Sequence, residues 1–234
     1  MPDPLKIFIG YDHREHDAYR VAEYSIKRRA SVPILVTPLD INHLGHFLPP
    51  PVRDSDGRMW DIESQAPQST EFARSRFCVP FLQRDGWALF ADADVLCLTD
   101  IASLFALADD KYAVMVVKHE EYRGQEPTKM DGQAQTAYSR KNWSSIVLWN
   151  CGHRAHLRLT PHRLNMWPGR DLHGFKWLED QEIGALPGEW NHLVGINDAK
   201  THPFILHYTL GTPDMVETEF SEVWKRELEA VNRQ

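Results

Sequence analysis

Two kinds of segment alternate along the 234-residue chain: unbroken apolar runs of strand length, and stretches in which apolar residues recur at helical spacing. Lys6-Ile7-Phe8-Ile9 predicts a first strand that breaks at Gly10, and Tyr19, Val21, Ala22, Tyr24 and Ile26 predict a helix over residues 16 to 28. Residues 33 to 39 read as a second strand. Residues 47 to 69, rich in Pro, Asp, Gly and Ser, read as a long irregular surface excursion of the kind that helps cover a site. A helix with a Ser or Thr cap is predicted from Ser69 until Asp85-Gly86 stops it. Further helices are expected over 101 to 108, over 179 to 186 as a short acidic one, and over 218 to 232, where Phe220, Val223, Trp224, Leu228 and Val231 share one side. Strands are expected at 112 to 117, 144 to 150 and 204 to 208, while 118 to 141 and 169 to 177 read as irregular. Strands alternating with helices imply an α/β sheet, and there is no internal repeat.

The most informative stretch is Trp87-Ala-Leu-Phe-Ala91, which runs into Asp92-Ala93-Asp94 before Val95-Leu96-Cys97-Leu98 resumes the apolar run. A run of this composition predicts a strand buried on both faces, so the two acids lie at the sheet's carboxyl edge, where open α/β sheets bind ligands. Alternate residues of an extended segment point the same way, so Asp92 and Asp94 can converge on one divalent cation across small Ala93. Asp is also common in turns and can simply solvate a strand end. Two acids embedded in apolar residues, however, place charge near a buried edge, which costs several kcal/mol unless a metal or base compensates.

Composition narrows the function class. At 42% apolar and 25% charged residues the chain reads as a globular protein, expected to form one domain over residues 1–234. No segment approaches the ~18 uninterrupted apolar residues of a membrane span, and the start Met1-Pro2-Asp3-Pro4-Leu5-Lys6 lacks the pattern of a secretory signal. Isolated Cys78, Cys97 and Cys151 suit a reducing, cytoplasmic setting. A net charge of -7, with no basic run longer than Lys27-Arg28-Arg29, argues against nucleic acid as a partner. The 12 histidines are scattered and form no CxxC or HExxH pattern.

Phe90-Ala91-Asp92-Ala93-Asp94-Val95-Leu96 resembles the DxD element of GT-A glycosyltransferases, especially family 8, the glycogenin and bacterial lipopolysaccharide galactosyltransferase group. Ile7-Phe8-Ile9-Gly10-Tyr11-Asp12, Ala73-Arg74, Ile146-Val147-Leu148-Trp149-Asn150, Glu179-Asp180-Gln181-Glu182 and His207-Tyr208 follow the family's order at similar spacing, so the resemblance spans roughly residues 6 to 213. It implies a single Rossmann-like GT-A domain with a mixed sheet flanked by helices, and a hexosyltransferase acting on a UDP-sugar with retention. It assigns Asp92, Asp94 and His207 to Mn²⁺, with Mg²⁺ as the alternative, bridging the diphosphate. Gly10, Tyr11 and Asp12 would meet uracil and ribose, although Gly10 can equally serve an unusual backbone angle and Asp12 a helix cap. Arg74 would reach the nucleotide or donor sugar, whereas Arg76 reads as an exposed helix residue. Ala93, Asn150 and Gly211 complete the nucleotide-sugar set, with Asn150 able instead to satisfy only backbone groups. Asp180 and Gln181 would lie beside the anomeric carbon as catalytic residues, against the alternative of a solvated helix start.

Two departures from the family pattern stand out. The glycine and Lys-Pro-Trp that usually follow the metal histidine are replaced by Tyr208-Thr209-Leu210-Gly211-Thr212-Pro213, so a phosphate contact is absent or comes from elsewhere. Trp143-Ser144-Ser145 replaces the usual Asn-Ala-Gly before a strand, which alters the pocket near the donor sugar. The expected activity is therefore metal-dependent transfer of a hexose from a UDP-sugar to a saccharide, glycolipid or protein hydroxyl. A haloacid-dehalogenase-like phosphatase shares the apolar-strand DxD but carries it on its first strand, and a non-catalytic nucleotide-sugar binder is the third reading. Acceptor choice is expected in 47–69 and 118–141.

Overall fold

The computed structural model describes residues 3–45, 47–119, 140–198 and 202–234. The first apolar run forms β1 (Leu5–Tyr11), which crosses Gly10 without breaking and lies parallel to β2 (Ile34–Asp40). Gly10 is needed for space: a Cβ there would sit 2.4 Å from the ring of Phe72, and its φ is not positive. Between these strands runs α1 (His16–Lys27), whose apolar face packs on the sheet as its periodicity predicts.

The excursion is ordered. It holds an antiparallel meander of β3 (Val52–Arg53), β4 (Met59–Asp61) and β5 (Ala66–Pro67). The long helix expected after Ser69 is instead a 3₁₀ turn at Ser75–Cys78 followed by the short α2 (Val79–Gln83). Pro80 lies in the first turn of α2, where its missing N–H is harmless, and its ring opposes continuation of an α-helix on the upstream side.

The central apolar run is not one strand but two. β6 (Trp87–Ala91) belongs to the main sheet, and β7 (Val95–Cys97) to a second sheet. Then come α3 (Ala102–Phe105), β8 (Val114–Val116), β9 (Ile146–Asn150), α4 (Pro161–Met166) and α5 (Gly169–His173), the last within a segment that reads as irregular. The acidic 179–186 segment makes a single 3₁₀ turn and enters β10 (Ile183–Ala185), which pairs with β8 in parallel register. Gly184 permits that pairing, because a Cβ there would meet the Tyr112 ring at 2.6 Å. β11 (His192–Leu193), β12 (Ile205–His207) and α6 (Ser221–Asn232) complete the described elements.

The main sheet has the order β10-β8-β9-β6-β1-β2, with β9 antiparallel to both its neighbours and the other pairs parallel. The second sheet is β11-β12-β7. α6 buries Trp224 and Val231 and docks on α1, where Arg28 and Arg29 both pair with the buried carboxylate of Glu227. This is a mixed α/β architecture with a central sheet flanked by helices.

Candidate active site

Asp92 and Asp94 occupy the crossover from one sheet to the other. The Asp92 N–H donates to Ser145 O at 2.9 Å, fixing it to the start of β9, and the Tyr208 N–H donates to Asp94 O at 2.9 Å, fixing that residue to the end of β12. Antiparallel pairing of β12 with β7 sets His207 opposite Val95, the residue after Asp94. The register therefore delivers the imidazole to the acids: His207 Nε2 lies 3.3 Å from Asp94 Oδ1, and ligand atoms of Asp92, Asp94 and His207 all fall within 4.8 Å of one another.

The other face of His207 defines its chemistry. Asn191, fully buried, donates its Nδ2 to Asn142 O at 3.2 Å and to Ser145 Oγ at 2.9 Å, while Ser145 Oγ donates to Asn142 O at 2.7 Å. The amide is thus oriented with Oδ1 toward His207 Nδ1, 3.0 Å away. A carbonyl oxygen can only accept, so Nδ1 carries a proton, and in its neutral form His207 would present the Nε2 lone pair toward the acids. Two carboxylates and a lone-pair imidazole form a donor set suited to Mn²⁺ or Mg²⁺. The residues fit a divalent cation.

Asp92 has a second neighbour that the sequence reading placed on the surface. Arg76 is buried, with Nη1 2.9 Å from Asp92 Oδ1 and 2.8 Å from Ser144 O, Nε 3.2 Å from Ala73 O, and its guanidinium over the rings of Phe90 and Phe72. Arg74 is buried as well, but its bonds run elsewhere. It pairs with Asp61 of β4 at 2.8 Å, donates to Ser64 Oγ at 2.6 Å, and caps the carbonyls of Leu164 and Asn165 at the end of α4. Burial pulls the Arg74 guanidinium below its ordinary range, opposed by the charge of Asp61. Arg74 ties the meander to the body of the protein.

These residues line a cavity of about 440 Å³, within the size range of small-ligand sites. Asp92, Asp94, His207, Arg74 and Arg76 contribute to its wall, as do Thr70, Ser144, His173, Arg170 and Thr209. Ser144 Oγ and His173 Nδ1 are 2.6 Å apart, a hydrogen-bonded pair that occupies the place where the family pattern has a small residue.

Other sequence-predicted residues lie outside this wall. Asp12 is fully buried and accepts from the Arg14 side chain and N–H and from the Glu71 N–H. Burial raises its pKa, but these bonds outweigh burial and hold the carboxyl below the usual range. Its carboxylate caps the turn that follows β1. Tyr11 packs edge-on against Tyr19 and hydrogen-bonds His16 at 3.2 Å. Ala93 is core, and Gly211, at φ +127°, turns the chain after β12. Asn150 pairs with Trp87 at the start of β6, which puts it at the sheet edge opposite Asp92, and its Nδ2 donates to Tyr112 O. Of its two readings, the backbone one matches the geometry.

Asp180 and Gln181 are exposed and absent from the cavity wall. They precede Ile183, which aligns with Val114 at the beginning of β8, so parallel pairing holds that turn toward the sheet's amino edge. Asp180 pairs with Arg140, whose neighbours Lys141 and Asn142 border the cavity. The acceptor-side expectation for 118–141 lies largely outside the described residues. Among the described residues, no helix is long and apolar enough to cross a membrane.

No protein-family model matches the chain. Solved structures with similar folds include the galactosyltransferase LgtC in complex with donor and acceptor sugar analogues, at TM-score 0.61 and 13% identity, covering 97% of this chain and 96% of that one. The apo bifunctional glycosyltransferase WbbM aligns at TM-score 0.65 and 13% identity over 97% of this chain, which spans half of that protein. GlyE of Streptococcus pneumoniae TIGR4 aligns at TM-score 0.58 and 14% identity, covering 96% of this chain and 60% of that one. These neighbours identify the fold as that of the GT-A glycosyltransferases, with the sheet-to-sheet crossover in place of a first-strand DxD. Protein CDI of Arabidopsis thaliana is 45% identical over 240 aligned residues, covering 99% of this chain and 88% of that one. The chain therefore belongs to the family of the Arabidopsis Protein CDI.

Proposed function

We propose that the protein is a metal-dependent retaining glycosyltransferase that moves a hexose from a UDP-sugar to a hydroxyl acceptor. The observation that carries the proposal is the meeting of Asp92, Asp94 and His207 at the wall of one cavity, on a fold shared with glycosyltransferases. Asp94 and His207 would hold the cation from β7 and β12, and Asp92 from the end of β6. A bound Mn²⁺ or Mg²⁺ would neutralise the donor diphosphate and the charge that builds on departing UDP.

The chain's own residues perform the remaining tasks. Asn191 keeps the proton on Nδ1 of His207, so the ring approaches a cation as a neutral ligand. Fully buried Phe90 and Ala91 anchor the strand end that carries Asp92. Ser144 and His173 present a hydroxyl and an imidazole to the cavity, groups able to orient sugar hydroxyls. Of the described wall's carboxylates, Asp92 and Asp94 would serve the cation, Asp61 pairs with Arg74 and Glu15 has no assigned role; retention would follow a same-face displacement in which the leaving phosphate takes the acceptor proton.

The test is UDP release from UDP-glucose and UDP-galactose by purified protein, with and without Mn²⁺. Mn²⁺-dependent release, reduced by about 100- to 1,000-fold in Asp94→Asn with the melting temperature preserved, supports the proposal. Release of phosphate from monoesters would favour a phosphatase, and UDP binding without turnover a binding protein. Full activity of Asp94→Asn would overturn the metal assignment.

A further inference from the structure

We propose that the outer face of the β3–β5 meander is the acceptor platform and that the acceptor is a neutral saccharide whose ring stacks on Trp60; this rests on the glycosyltransferase reading above. Antiparallel register sets Val52 beside Trp60 and Trp60 beside Pro67, so the three side chains form one row across the meander. Alternation along β4 turns Met59 and Asp61 inward, both buried, and Trp60 outward. The row is uncovered: Val52 is 41% and Trp60 37% exposed, Pro67 is exposed, and Ile62, just past β4, is 58% exposed. An indole in such a row is a flat apolar surface with a polar N–H at its margin.

The row leads into the cavity. Pro67, at its end, lines the cavity wall, and so do Gln65 and Gln68 on either side of it. Gln68 Oε1 is buried and accepts no hydrogen bond among the described residues, an arrangement that a hydroxyl donor at the rim would relieve. A sugar ring offers both parts of what this surface needs: a C–H face for the indole, and hydroxyls around its edge for the amides. Charge selects against an acidic sugar. The row itself carries none, and the ionic groups of the β3–β4 turn are engaged within it, Arg53 with Gly57 O at 3.0 Å and Asp54 with the N–H groups of Asp56 and Arg58 at 2.9 Å each. Size selects against a protein partner: three partly exposed side chains on strands about 4.8 Å apart give a strip roughly 10 Å long, whereas stable protein interfaces bury about 800 Å² on each partner.

The experiment follows Trp60 by fluorine NMR in fluorotryptophan-labelled protein with Mn²⁺ and UDP, the resonance being assigned by its loss in Trp60→Tyr, while maltose, cellobiose, lactose and glucuronate are titrated in turn. A neutral disaccharide should move this resonance, and glucuronate should not. Calorimetry with the same disaccharide should show binding weakened by roughly 10-fold in Trp60→Ala and by less in Trp60→Tyr, which keeps a ring and carries the test if the alanine variant does not fold. Equal affinity in either folded variant, or a resonance that no sugar moves, overturns the platform. Glucuronate binding in place of the neutral sugars overturns the acceptor class, and broadening that grows with protein concentration alone gives the face to a second copy of the chain. UDP binding by the wild type without saccharide tests the donor reading separately: where it is retained these failures count against the platform alone, and where it is absent both fall.

Discussion

A buried histidine stands beside each edge of the main sheet, His207 from the second sheet and His156 after β9, yet the two are used oppositely. At the carboxyl edge, His207 is gripped on Nδ1 by Asn191 and aims Nε2 at Asp94 across the cavity wall. At the amino edge, His156 follows β9 and directs Nε2 to the carbonyl of Ala113, 3.1 Å away, with its ring against Trp149. One ring faces a charged opening; the other is enclosed by backbone and aromatic surface. Burial lowers the His156 pKa to about 4, chiefly by desolvation and despite the Ala113 bond. The contrast teaches that a buried polar group points to function only when its remaining valence opens on a space a ligand can enter.

Arg74 probes that lesson most severely, because it borders the cavity while every strong bond it makes is internal. Arg74→Ala leaves Asp61 buried without its guanidinium and should destabilise the protein by about 3–5 kcal/mol, read from urea denaturation. An unchanged midpoint with lost UDP binding would break the distinction, by showing that Arg74 serves the ligand after all.

The amino edge is tested by pH. The His156 folded pKa lies below its unfolded value of 6.5, so the folded protein resists protonation there. Its contribution is complete above pH 6.5 and is lost as pH falls toward about 4, amounting to roughly 3 kcal/mol. Denaturation curves at pH 7.5, 5.5 and 4 should show the decline in wild type and a shallower one in His156→Gln. Equal slopes would remove His156 from the account.

Asn191→Leu sharpens the carboxyl-edge half with a smaller effect. Without the Oδ1 acceptor, His207 is free to move its proton to Nε2, and Mn²⁺ affinity should drop by about 10- to 100-fold. Paramagnetic titration reads this directly, and undiminished affinity would show that the tautomer is set by another group.

How much of this was visible in the sequence follows the same division. The Asp92, Asp94 and His207 set was legible because two acids in an apolar run and a late histidine keep their order whatever the connecting loops do. Asn150 was not, since a strand's composition does not say whether it runs parallel or antiparallel, and reversal of β9 sends its last residue to the far edge. Asp180 and Gln181, in the turn before β10, are likewise not among the residues that line the cavity. The burial of Arg76 beside Asp92 was hidden by backbone type: a helical reading puts neighbouring arginines on faces that a 3₁₀ turn rearranges. The available signal was local, because Arg76 is followed directly by Phe77, Cys78 and Val79.

The chain's change of sheet between Ala91 and Val95 sets when, as well as where, the site exists. Asp92 hangs from one layer by Ser145, and Asp94 with His207 from the other, so neither layer alone holds the trio. A chain that has built only its main sheet has the first acid in position and nothing for it to meet. The trio would exist only once both sheets have formed and met, so a chain holding a single sheet would lack the site.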